Sequence, residues 1–105
     1  MAGVDIKEIL FFAKLLSTST RQTRLTILKH ITSWQCELLR QIFLNIVLNS
    51  SINLSTSEKS YMKNRLTSIK LLASKRICKK KKSTIFIKNQ SLVLKVCKIV
   101  VKYLS

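Results

Sequence analysis

Apolar residues recur three and four positions apart through most of this chain. Ile6, Ile9, Leu10, Ala13 and Leu16 fall on one face of a helix, and Asp5 stands where an N-cap belongs. The polar run "STST" from Ser17 to Thr20 interrupts the pattern. A second helical stretch, about 21–31, puts Leu25, Leu28 and Ile31 on one side. Thr32 or Ser33 then caps a third, about 34–48, with a wide stripe of Leu38, Leu39, Ile42, Phe43, Ile46 and Val47. "NSSINLS" is a loop. Ser55 followed by Glu58 is a capping box, with Leu54 in the position of a hydrophobic staple. The helix it opens, about 56–74, sets Met62, Leu66, Ile69 and Ala73 on one face and Lys59, Lys63 and Lys70 on another.

The pattern is more ambiguous toward the C-terminus. "STIFIKN" reads equally as a helical turn or a short strand. In "SLVLKVCKIVVKYLS", Lys95, Lys98 and Lys102 have helical spacing, whereas the Val and Ile content favours a strand. The spacing decides for a helix. Pro is absent and Gly occurs once, at Gly3, so little interrupts helices. The expectation is an all-α fold: a small bundle of three to four helices with a basic, partly flexible C-terminal region. Residues 1–20 are read as an N-terminal amphipathic helix, 21–74 as the helical core, and 75–105 as a basic segment plus an amphipathic C-terminal element. A chain of 105 residues is one domain at most.

Charge changes this picture from a fold to a function class. Twenty Lys and Arg face four acids, Asp5, Glu8, Glu37 and Glu58, for a net charge of +16. Such a surface attracts polyanions. Fifteen of the cations are Lys, a hydrated point charge suited to phosphate without base reading, which argues for sequence-tolerant binding. The densest segment holds Lys75, Arg76, Lys79, Lys80, Lys81 and Lys82. Together with Lys59, Lys63, Lys70 and Lys88 these are the candidate nucleic-acid contacts, with DNA favoured as partner. Lys95, Lys98 and Lys102 extend the positive surface. A short basic run also serves as a nuclear-import address. The aromatics Phe11, Phe12, Trp34, Phe43, Tyr61, Phe86 and Tyr103 are spread out, which suits core packing better than a stacking platform.

Catalysis finds little support. A single glycine excludes glycine-rich phosphate loops. His30 is the only histidine, and the acids form no pairs along the chain. The expectation is no enzyme and no cofactor. Cys36, Cys78 and Cys97 match no zinc spacing, and their odd number argues against a disulfide framework. They are read as reduced, mostly buried thiols of an intracellular protein. Asp5 and Glu8 stand where a secretory signal wants positive charge, and no apolar run approaches the length of a membrane span. Two alternatives stay open. The Lys-faced C-terminal segment could lie on an anionic membrane surface. The apolar helix could dock a partner helix, or self-associate, through Leu38, Leu39, Ile42, Phe43 and Ile46.

The stretch from Cys36 to Asn89, about half of the chain, resembles small basic proteins of Polinton (Maverick) transposons and adintovirus-like DNA viruses. Leu38-Leu39-Arg40, Ile42 and Asn45 fit the first helix of that pattern. Leu54-Ser55, Lys59, Leu66, Leu71 and Leu72 fit the second, and Lys75, Arg76 and Lys79 to Lys82 fit its basic run. The family pattern continues into a Gly-Gly and an apolar glycine-rich tail, whereas this chain has "IKNQSLVLKVCKIVVKYLS". The resemblance implies association with packaged or replicating DNA, in a virion or the host nucleus.

Overall fold

In the computed structural model, which describes residues 5–48, 54–74 and 82–104, seven helices and no strand form among the described residues. They are α1 (Ile6–Thr18), α2 (Arg21–Lys29), α3 (Ser33–Leu48), α4 (Thr56–Asn64), α5 (Leu66–Leu72), α6 (Lys82–Lys88) and α7 (Gln90–Leu104). The all-α expectation holds, with more and shorter helices than three to four.

Most helix starts follow from local chemistry. The Asp5 carboxylate accepts from the Lys7 N–H at 2.9 Å and caps α1. Ser19 and Thr20 are extended, and the Thr20 hydroxyl accepts from the Thr23 N–H to start α2. Thr32 opens α3 through a reciprocal pair: its hydroxyl accepts from Gln35 N–H, and its own N–H donates to Gln35 Oε1. This is the Gln version of the capping box. Ser55 and Glu58 make the carboxylate version at α4.

The expected helix over 56–74 is two helices. At Arg65 the backbone turns to φ −122°, ψ 20°, and its N–H reaches back only three residues, to Met62. The Arg65 guanidinium lies 3.9 Å from the centre of the Tyr61 ring. The break shifts the register, so Leu66 is 41% exposed while Leu72 is fully buried. "STIFIKN" is helical, and α6 runs into α7 through Asn89.

α1 packs along α7 and against α3; α3 also meets α5 and α7, and α2 lies on α6. Ile9, Phe12, Ala13 and Leu16 of α1, and Val93, Val96, Cys97 and Val100 of α7, are all buried. Each set repeats as i, i+3, i+4, i+7. That match explains why α7 is a helix despite its Val and Ile. Each β-branched residue costs a helix only a few tenths of a kcal/mol, whereas burying one stabilises by about 1.5–3 kcal/mol. α3 completes the core with Cys36, Leu38, Leu39, Ile42 and Phe43. The radius of gyration is 12.6 Å, close to the ~13 Å of a folded chain this long, so the excess positive charge does not prevent collapse.

The cysteine expectation needs correction. Cys36 is disulfide-bonded, whereas Cys97 is free and buried, and Cys78 lies outside the described residues. An odd count does not exclude a single bridge, because pairing depends on which cysteines the helices bring together. Burial pushes the Cys97 thiol up to about 12, against the lowering effect of the Arg24 charge.

Candidate nucleic-acid interface

Three of the four acids make side-chain contacts close to home. Asp5 caps α1 and Glu8 lies in its first turn. Glu37 takes both arms of Arg40, at 3.0 and 2.6 Å, and accepts from Gln41. The buried Arg40 also donates to the Ala73 carbonyl at the end of α5, which ties α3 to α5. Glu58 accepts from the Ser55 N–H, the Tyr103 hydroxyl at 2.6 Å and Lys102. Those bonds, the Tyr103 one foremost, hold its carboxyl down at about 2. Tyr103 and Glu58 in turn hold the exposed Lys102 ammonium above its ordinary value.

The cations are left on the outside. Between described residues only two ion pairs form, Arg40–Glu37 and Lys102–Glu58. Lys59 and Lys63 lie one turn apart on α4, and both are exposed, as are Lys70, Lys88, Lys95 and Lys98. Lys75, Arg76 and Lys79 to Lys81 lie outside the described residues. Lys82 begins α6.

The fold also gathers residues that sequence spacing does not connect. A hollow of about 230 Å³ is lined by Tyr61, Arg65 and Ser68 from α4 and α5, and by Lys88, Asn89 and Ser91 from the α6–α7 junction. The Lys95 ammonium lies 5.7 Å from the Tyr61 ring, so Tyr61 carries two cations, Arg65 and Lys95. Ser91 is shared with a second hollow, of about 370 Å³, lined by Arg21, Arg24, Gln90, Ser91 and Leu94. Among the described residues no carboxylate lines either hollow. Of the lysines proposed from sequence, Lys88 belongs to this cluster. Arg21, Arg24, Arg65 and Tyr61 were not indicated, since they lie on separate helices and away from the lysine run.

The alternative surfaces are largely covered. Leu39, Ile42 and Phe43 are fully buried and pack inside this chain, Leu38 lines an apolar hollow with Phe11, Leu15 and Trp34, and the side chain of Ile46 lies outside the described residues. The apolar stripe of α7 is buried on α1. Among the described residues no helix is long and apolar enough to cross a membrane. Against known proteins, the chain matches no family model, no curated protein and no solved structure.

Proposed function

We propose that this protein binds nucleic acid, with DNA favoured, by neutralising backbone phosphates with little regard to sequence. One observation carries this reading: all four acids sit in internal contacts or at the start of α1, while α4, α5 and α7 display exposed lysines. A positive field of that kind draws a polyanion without selecting bases. Lys59, Lys63, Lys70 and Lys88 supply point charges on helices, and Arg65 and Tyr61 add a charged, flat surface beside Lys88. Lys75, Arg76 and Lys79 to Lys81 add positive charge in the sequence between α5 and α6. The likeness to small basic proteins of Polinton and adintovirus-like elements supports a role beside viral DNA, in a virion or a nucleus, and that part rests on the sequence pattern alone.

The mechanism is counterion release, with each neutralised phosphate adding about −0.9 to the slope of log K against log salt. Contact with roughly six to eight phosphates gives a slope of about −5 to −7. Replacing Lys79, Lys80, Lys81 and Lys82 by Gln tests it: affinity and slope both fall if phosphate contact is the mechanism. Unchanged affinity and slope would remove the lysine run from the interface. The membrane reading requires α7 to leave α1, because its apolar face is in use, and is disfavoured for that reason.

A further inference from the structure

Two cations from different parts of the chain converge on Tyr61. The Arg65 guanidinium lies 3.9 Å from the centre of its ring, and the Lys95 ammonium lies 5.7 Å from it. Arg65 is the residue where α4 gives way to α5, yet its side chain makes no cap at the start of α5. It lies over the ring instead, with Nη1 reaching the Tyr61 carbonyl at 3.4 Å. Arg65, Lys88, Ser91 and Lys95 are exposed, and Tyr61 is half-buried. An arginine held over a ring is a planar surface ordered in advance, which lowers the cost of binding to it. The hollow beside it is lined also by Lys88, Asn89 and Ser91, with no carboxylate among the described residues.

We propose that this hollow takes an unpaired nucleotide of a single-stranded nucleic acid, DNA or RNA. The base stacks on the Arg65 guanidinium, backed by Tyr61, and the neighbouring phosphates meet Lys88 and Lys95. The inference rests on the nucleic-acid reading above and deepens it. A duplex keeps its bases stacked inside and offers the protein phosphates and groove edges, for which separate lysines suffice. A guanidinium backed by a ring adds something further where a base is free to stack on it. At about 230 Å³ the hollow is below the range of pockets that enclose a whole small molecule, which suits one unit of a longer chain better than a free nucleotide. Stacking reads the face of a base and not its edge, so the site stays tolerant of sequence. Tyr61 comes from α4, Lys88 from α6 and Lys95 from α7, so the site exists only in the folded chain.

The probes are two labelled single strands of equal length and charge, a mixed-sequence oligodeoxynucleotide and an oligomer of abasic residues. Each is titrated into the full chain at fixed salt and followed by fluorescence anisotropy. Phosphate contact alone binds both equally. The expected result is that the strand with bases binds about tenfold more tightly, within the worth of one stacked base. Arg65→Lys keeps the charge and removes the plane, and it brings that ratio near one. Lys88→Gln lowers both affinities by a similar factor. Phe11→Ala, at an exposed ring on α1, leaves the ratio in place. Far-UV circular dichroism confirms that each variant folds. A ratio that survives Arg65→Lys, or one that falls with Phe11→Ala, overturns the assignment. Equal binding of the two strands by the unaltered chain, with duplex binding intact, overturns it and leaves the phosphate reading standing. Absence of binding to either strand and to duplex removes both. An RNA strand of the same sequence, titrated alongside, shows which polymer the site prefers.

Discussion

Replacing Glu58 by Gln tests how the C-terminus of α7 is fastened to the rest of the molecule. The Glu58 carboxylate accepts from the Ser55 N–H at 2.9 Å and from the Tyr103 hydroxyl at 2.6 Å, and pairs with Lys102 at 3.4 Å. Its pKa falls from the ordinary 4.5 to about 2. At about 1.4 kcal/mol per pKa unit, the ionised carboxylate stabilises the fold by up to about 3 kcal/mol. Lys102 is the weakest of these influences and its 62% exposed side chain is screened, while Gln at this position still offers Tyr103 and Ser55 a neutral acceptor, so about 2 kcal/mol is the working figure. A depressed acid contributes fully above its unfolded value. As pH falls below 4.5 the unfolded chain takes up the proton first, and the contribution is gone by about pH 2. The assay is urea unfolding followed by circular dichroism, for the unaltered chain and Glu58→Gln, from neutral pH to pH 2. The variant should lose about 2 kcal/mol at neutral pH, and the gap between the two should close through that acid window. Tyr103→Phe should show part of the loss, about 1 kcal/mol. Equal stability of the two chains at neutral pH, or a gap independent of pH, would refute the reasoning.

Three further outcomes follow from the same contacts. Leu16→Ala, in the fully buried α1–α7 seam, should cost about 2–5 kcal/mol by urea unfolding, whereas Phe11→Ala, at a side chain 72% exposed, should stay within about 0.5 kcal/mol. The triple change Lys59→Gln, Lys63→Gln and Lys70→Gln should flatten the DNA salt slope by up to about 2.7 with no loss of stability, read by anisotropy and urea unfolding. Cys97, whose thiol burial holds near 12, should be labelled by a thiol reagent in mildly alkaline buffer only as fast as the chain opens; rapid labelling of native protein, mapped by mass spectrometry, would contradict its burial.

Local signals in the sequence were legible where one residue settles a local hydrogen bond. Asp5, Thr32 and the Ser55–Glu58 pair mark helix starts that the structure confirms, and the three-and-four spacing of Lys95, Lys98 and Lys102 outweighed the strand preference of Val and Ile in α7. The break at Arg65 was not legible, since no Pro or Gly marks it and it coincides with a ring contact to Tyr61. Its consequence, an exposed Leu66 and a buried Leu72, follows from the shifted register. The role of α1 was underestimated for a related reason. An apolar stripe shows that a helix packs, but not on which partner, and α1 chose α7 from the other end of the chain. The candidate site shows the same limit. The lysines advertise themselves by number, whereas Tyr61 and Arg65 gain meaning only when the fold sets them beside Lys88 and Lys95.

Duplex DNA affinity across a salt series, measured by fluorescence anisotropy on two unrelated sequences, tests the central claim most directly. Phosphate neutralisation predicts similar affinities for both sequences and a log–log slope of about −5 to −7. Weak binding at low salt, or a shallow slope with strong preference for one sequence, would contradict it.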